Sequence, residues 1–319
     1  MYKFTPIFLF LLVISLFFIG GCNQDSQENL NKQLVETSRY DQIPIEVIKM
    51  TPENDQLPPI LHSDEYSQPV PLPYPVNTRG AEDSSFIMPD GNTLYVWFTP
   101  DPNIDVTKQV IDGVTGIYEF KKQENGWGEA KRVWLVEPGK PNLDGCGFFQ
   151  DNRVWICGAR EGYTGMHWFT SEFKDGKWGV AKIADFESSL EVGELDIYGN
   201  ELYYHSSRAG GKGQYDVWVS EKINGEWQTP TNIDVVNTEE TEGWPQRIDN
   251  ELWFTRIYLG SPAIFRSKLV NGEWQEPELI LSQFAGESTI DSQGNIYFTH
   301  HFYKDNKMLE ADIYVAYKK

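Results

Sequence analysis

The sequence predicts an all-β chain folded as a β-propeller, with five four-stranded blades as the economical count, six left open, and a ring closed by an N-terminal strand. Three observations carry that expectation. A unit of strand, turn, aromatic strand, loop, strand, turn and Trp recurs from residue 81 to the C-terminus. Trp127, Trp178, Trp227 and Trp274 close four of the units, 51, 49 and 47 residues apart. No helical periodicity interrupts the pattern, and repeats of this length made of short strands and Asn-Gly turns build propellers. A blade is too small to bury both its faces alone, so neighbouring blades must supply one another's core.

The chain opens on an address. Residues 1–21 carry one cation, Lys3, then an apolar run over 4–19 and two glycines before Cys22. That run is short of the roughly twenty residues a bilayer-spanning helix needs, and small residues before a cleavage point mark an export signal. Ile19-Gly20-Gly21-Cys22 resembles the lipobox of bacterial lipoproteins. The resemblance implies lipidation of Cys22, a membrane partner reached through the acyl chains, and a place in the cell envelope. Asn23, standing where an Asp would imply inner-membrane retention, points to the outer membrane in a cell with two membranes.

Residues 22–42 are polar and read as a flexible tether. Residues 43–80 hold eight prolines and read as an extended lead-in, because Pro gives no amide to a central sheet. Within it, residues 45–50 (IEVIKM) are the candidate closing strand. The propeller then occupies 81–319. Its second strands read LYVWF (94–98), VWICG (154–158), LYYHS (202–206), LWFTR (252–256) and IYFTH (296–300). The third strands read GIYEF, MHWFT, DVWVS, AIFRS and DIYVA. In unit two a two-residue turn at Asp151 and Asn152 pairs 150 with 153, 148 with 155 and Cys146 with Cys157. Outside the cytoplasm that pair is either a Cys146–Cys157 disulfide or two buried free thiols.

The runs SSRAGG (206–211), YDVWVS (215–220) and NGEW (224–227) with Pro230, echoed by ADIYV (311–315), resemble the WD40-like (PD40-type) repeat of the TolB propeller and of many envelope proteins. The match is strong in units three to five and looser in the first two, where residues 99–115 enlarge a loop. It implies fold and compartment, and no activity.

Composition narrows the classes further. With 319 residues, 40% hydrophobic and 14% aromatic, the chain buries a sizeable core. A net charge of −20 argues against nucleic acid as a partner, since that affinity comes from clustered Lys and Arg.

Acidic residues stand near the start of the first strand of every unit: Glu82 and Asp83, Asp144, Glu191 and Glu194, Glu242, and Glu287. Ring closure would gather Asp83, Asp144, Glu194, Glu242 and Glu287 round one channel mouth, where like charges raise one another's pKa or recruit a cation. The alternative is that each acid belongs to the repeat and pairs with a neighbouring Arg. Arg160, Arg208 and Arg256 end successive second strands and would either receive an anionic ligand or neutralise that ring. His205, His300 and His301 are candidate ligands for a divalent metal ion, with separate surface histidines as the alternative. The turns S-x-x-x-[DN]-G-x-W resemble the Asp box of sialidases, but Phe173, Lys222 and Leu269 replace its Asp, so they are assigned to the fold.

No set of nucleophile, base and orienting group is legible, which favours a binding module. The leading expectation is a lipid-anchored envelope propeller that binds a protein, peptide or glycan through Arg160, Arg208, Arg256, Tyr163, Tyr215 and Trp244. The alternative is a polysaccharide-active glycoside hydrolase or metal-assisted lyase working through the same carboxylates, Arg and His.

Overall fold

Five antiparallel sheets follow one another along the chain in a computed structural model that describes residues 38–137, 139–162, 167–184 and 192–319. Each sheet is one blade of a five-bladed propeller, read from the axis outwards. Blade one runs Ala81–Ile87, Thr93–Thr99, Gly116–Gln123 and Lys131–Arg132. Blade two runs Asn142–Gln150, Arg153–Arg160, His167–Lys174 and Lys182–Ile183. Blade three runs Val192–Tyr198, Glu201–Ser206, Asp216–Ile223 and Thr231–Asn232. Blade four runs Glu242–Ile248, Glu251–Tyr258, Ser261–Val270 and Glu278–Ser282. Blade five has Ala285–Ile290, Ile296–Lys304 and Lys307–Ala316 from the C-terminus, and takes its outer strand, Val70–Pro71, from the lead-in.

An N-terminal strand therefore closes the ring, but it is Val70–Pro71, opposite Val315 and Tyr314, and residues 45–50 form no strand. Proline is tolerated there because the strand is an edge and its missing amide faces no partner. A second piece of the lead-in, Ile60–Leu61, extends blade four by pairing with Ser282 and Leu281. The proline-rich segment thus builds edges of two blades and makes no sixth. The packed body also begins earlier than residue 43, because Arg39–Gln42 forms a turn of 3-10 helix with Arg39 buried.

The hairpins follow the turn chemistry. Asp175-Gly176, Asn224-Gly225 and Asn271-Gly272 all hold positive φ at both positions, as type I′ turns require. Behind each turn a serine, Ser171, Ser220 or Ser267, donates from Oγ to the carbonyl of Gly179, Gln228 or Gln275. The S-x-x-x-[DN]-G-x-W pattern is thus a turn device. Trp274 packs against Tyr203 of the preceding blade, 6.5 Å between ring centroids. Between blades one and two, Tyr95 stacks on Phe149 at 3.5 Å, and such pairs contribute about 0.5–1.5 kcal/mol beyond their burial.

In unit two, Gln150 faces Arg153 and Phe148 faces Trp155, as the turn predicts, but Gly145 and not Cys146 faces Cys157. A bulge between Gly145 and Phe148 shifts the register, with Cys146 at φ 55°. Direct cross-strand pairing of the two cysteines is lost. Of the two alternatives, the structure has the free thiols and not the disulfide.

Candidate active site in the propeller channel

The bulge in blade two belongs to a set. All five inner strands shift register at the same place: Asp83/Phe86, Gly145/Phe148, Val192/Leu195, Gly243/Gln246 and Gly286/Thr289. A bulge re-aims a side chain, and here it turns Ser84, Cys146, Glu194, Trp244 and Glu287 into one channel. Four of these residues hold positive φ: Ser84 at 45°, Cys146 at 55°, Trp244 at 52° and Glu287 at 54°. The channel cavity below them has about 40 Å³, room for a few waters and not for a sugar ring.

The residue just before each bulge is Gly in blades two to five, namely Gly145, Gly193, Gly243 and Gly286. A Cβ on Gly193 would lie 1.7 Å from His205 Nε2, so no side chain fits there. Blade one alone has a side chain at this position, Asp83.

The acids expected to form one ring lie on two levels. Glu82, Asp144 and Glu242, two residues before each bulge, are fully buried and neutralised. Arg39 meets Glu82 at 2.7 Å, Arg160 meets Asp144, and Arg256 meets Glu242 at 2.7 Å. Thr78 and Thr238 add hydroxyl and backbone donors to Glu82 and Glu242. Asp144 and Glu242 are therefore removed from the channel set: each is held by its Arg, and the bulge turns Cys146 and Trp244, two residues further on, into the channel instead. Arg160 and Arg256 are committed to these acids and rest over Phe169 and Phe265. Arg208 donates to the Tyr204 hydroxyl at 2.9 Å and lies over Trp218. Tyr215 packs edge-on against His205, 5.5 Å away. Cys22, Tyr163 and Glu191 lie outside the described residues.

Asp83, Glu194 and Glu287 remain. No Arg or Lys is paired with any of them among the described residues. Asp83 accepts the Ser84 amide at 2.8 Å and faces His301 Nε2 at 3.5 Å. Its carboxylate, the His301 ring nitrogen and the Glu287 carboxylate lie within 4.8 Å of one another. Glu287 accepts a hydrogen bond from the Ser84 hydroxyl. Glu194 Oε2 lies 3.4 Å from His205 Nε2, while His205 Nδ1 accepts the Trp244 amide at 3.2 Å. That bond leaves the proton on Nε2, facing Glu194.

The three carboxyls are driven apart electrically. Burial pushes Glu287 well above the usual range, reinforced by the charges of Asp83 and Glu194. Glu194 is pushed up to about 7, by burial first and by Asp83 in addition. Burial pulls Asp83 upward too, but the His301 charge and hydrogen bond, with the Ser84 amide, hold it below the ordinary value. Desolvation drops His205 to about 3, so its ring is neutral.

The three histidines do not converge. His300 and His301 are consecutive on one strand, so alternation sends them to opposite faces. His300 is fully buried against Asp55 at 2.8 Å and the Phe284 carbonyl at 3.2 Å. His205 belongs with Glu194. The groups of described residues with metal-ligand spacing are Asp83, Glu287 and His301, and Cys146, Cys157 and Glu194.

No protein-family model matches the chain, and no curated protein matches it in sequence. Solved structures do match. The chain is similar to an endo-arabinase from Bacteroides thetaiotaomicron, with 14% identity over 75% of this chain and 94% of that one, at a TM-score of 0.50. The shared fold is the five-bladed β-propeller. A xyloglucan-locus GH43B protein from Bacteroides ovatus (13% identity, 76% and 53% covered, TM-score 0.48) and a xylan β-1,4-xylosidase from Bacillus halodurans (13%, 76% and 54%, 0.47) are also similar, and the chain spans about half the length of each. The expected TolB-like, WD40-like repeat family is thereby corrected, since its short strand and turn signals are common to propellers of other kinds. The expected role as a binding module is corrected with it: Arg160 and Arg256, offered as ligand receptors, are spent on buried acids, and the solved structure at a TM-score of 0.50 is an endo-arabinase.

Proposed function

We propose that this chain is a polysaccharide-active glycoside hydrolase whose chemistry is done by Asp83 and Glu287. The observation that carries the reading is the division of the acids. Glu82, Asp144 and Glu242 are buried against Arg, whereas Asp83, Glu194 and Glu287 meet in the channel with no such neutralisation. Two carboxyls with pKa values pushed in opposite directions are what glycoside hydrolysis uses, one as acid and one as base or nucleophile.

The roles follow from the shifts. Glu287, its pKa held well above the usual carboxylate range, is placed to give its proton to the departing glycosidic oxygen. Asp83 stays ionised and, its carboxylate within 4.8 Å of that of Glu287, is placed to support positive charge at the anomeric carbon rather than to activate a water between the two. Ser84 orients Glu287, His301 keeps Asp83 charged, and Glu194 raises the proton affinity of Glu287. Because the cavity has room only for a few waters, the glycan would sit at the channel mouth, beside Trp244 and Tyr215. The neighbouring fold of an endo-arabinase makes arabinan the first substrate to try. An export signal and a lipidated Cys22 would put the enzyme in the cell envelope, where polysaccharide is met.

The test is reducing-sugar release from arabinan, xylan and xyloglucan. Asp83→Asn and Glu287→Gln are each expected to lower kcat/KM by at least about 100-fold with melting unchanged. Absence of release by the unaltered protein from every polysaccharide, or full activity in both variants, would overturn the reading.

A further inference from the structure

Beside the acid pair lies a second cluster whose two cysteines the hydrolytic chemistry does not use. Cys146 is the bulge residue of blade two, Cys157 stands on the second strand of the same blade, and Glu194 is the bulge residue of blade three. The two Sγ atoms and a Glu194 oxygen lie within 4.8 Å of one another. The Cys146 and Cys157 thiols contact each other, and Cys146 also contacts Glu194.

We propose that Cys146, Cys157 and Glu194 form a binding site for a thiophilic divalent metal ion, Zn²⁺ being the ion that suits them. Two sulfurs and one carboxylate oxygen are a ligand set that soft or borderline ions select over Mg²⁺ or Ca²⁺. In a tetrahedral Zn²⁺ site with Zn–S of about 2.3 Å, ligand atoms stand about 3.8 Å apart, so the observed spread needs only small side-chain rotations. The fourth position faces the channel cavity that Cys146 and Glu194 line, so a water or a ligand group completes the site. All three ligands sit on strands, which hold their positions more tightly than loops do.

The surroundings are those of a supported site. The Trp244 side chain favours the charged form of Glu194, and the His205 Nε2–H faces the same carboxylate. Such outer partners orient a ligating carboxylate and are a regular part of metal sites. Binding is acid–base chemistry only. Each Sγ–H bond breaks with its proton released to solvent and its electron pair kept on sulfur for the metal, and nothing is oxidised. The bound ion would tie blade two to blade three across the channel.

The test uses the reduced, metal-free full chain, with Co²⁺ as a spectroscopic probe and Zn²⁺ as competitor. One equivalent of Co²⁺ is expected to give a thiolate-to-cobalt charge-transfer band that Zn²⁺ bleaches. Cys146→Ser and Cys157→Ser should each abolish the band, Glu194→Gln should weaken affinity at least about tenfold, and His301→Ala, in the neighbouring cluster, should leave it intact. No band in the unaltered protein, or a band that survives either cysteine variant, would overturn the site. Should a variant fail to fold, alkylation of the unaltered protein decides: Zn²⁺ slows labelling of Cys146 if the site exists, and equal rates with and without Zn²⁺ remove it.

Discussion

Arg39 reaches Glu82 across 43 residues of sequence, Nη1 to Oε1 at 2.7 Å, with both side chains out of solvent. In blade four the same acid position, Glu242, is met by Arg256 from the directly paired residue of the second strand. Blade one has Phe98 at that paired position, and Arg39 lies over its ring at 4.7 Å. The guanidinium that blade four carries internally is supplied to blade one by the N-terminal segment. It also donates to the Val76 carbonyl, as Arg256 does to that of Val236. Removing one partner of a buried ion pair leaves an uncompensated charge and costs about 3–5 kcal/mol. Arg39→Ala should therefore lower the unfolding free energy by roughly that amount in denaturant titration, and Arg39→Ala with Glu82→Gln should recover a large part of it.

The pH profile of hydrolysis should show the two channel partners separately. Asp83 must be ionised and Glu287 protonated, so activity falls in acid as Asp83 takes a proton and in base as Glu287 loses one. His301 holds Asp83 low, so His301→Ala should move the acid limb upward. The Ser84 hydroxyl holds Glu287 down, so Ser84→Ala should move the alkaline limb upward. kcat/KM against pH for the three proteins checks this, and coincident profiles would remove both residues from the assignment.

What could be read from the sequence was local. The Asp151-Asn152 turn placed Gln150 opposite Arg153 and Phe148 opposite Trp155 because a two-residue turn fixes register. The error at Cys146 came from the bulge, which no Gly or Asn announces at the positive-φ residue. Its signal lay one residue earlier: glycine in four blades and Asp83 in the fifth, a departure from the repeat at the one carboxylate that stays ionised. Alternation separates Glu82 from Asp83, but it would leave Glu82, Asp144 and Glu242 on the face of Glu194 and Glu287, two positions further along the repeat, so the division of the acid ring depends on the bulge. Arg39 left no local trace, since its partner is distant in the chain.

Asp196, buried beneath the acids, should make stability depend on pH in a predictable direction. Burial raises its pKa to about 7, against partial relief from the Arg247 amide it accepts at 3.1 Å. The folded state therefore holds a proton that the unfolded chain has released, and this contribution is complete below the unfolded pKa and is lost as pH rises toward about 7. The loss is at most about 1.4 kcal/mol per pH unit. Asp196→Asn keeps an acceptor for the amide and does not titrate. Its unfolding free energy, subtracted from that of the unaltered protein, should be flat in acid and grow in the variant's favour toward neutrality. A difference independent of pH would show that Asp196 is charged in the fold.

The entry to blade one repeats the entry to blade four. Val76-Asn77-Thr78 precedes Glu82 as Val236-Asn237-Thr238 precedes Glu242. Asn77 accepts the Ile313 amide and donates to the Ile313 carbonyl, at 2.9 and 2.8 Å, and Asn237 does the same to Val217 at 2.8 Å for both bonds. Each side chain imitates one more rung of ladder on the third strand of the preceding blade. Asn77 makes this contact across the ring closure, between the two ends of the chain, and Asn237 makes it within a continuous stretch. Either Asn→Ala strands a buried N–H, at a cost of about 1–3 kcal/mol, while the Ile313 and Val217 carbonyls keep the amides of Leu72 and Ile233. Because chain connectivity already holds blade three to blade four, Asn77→Ala should open hydrogen exchange at the edge of blade five, around Ile313, more than Asn237→Ala opens it around Val217. Equal protection in the two variants would mean that closure rests on Val70–Pro71 and Arg39 without help from Asn77.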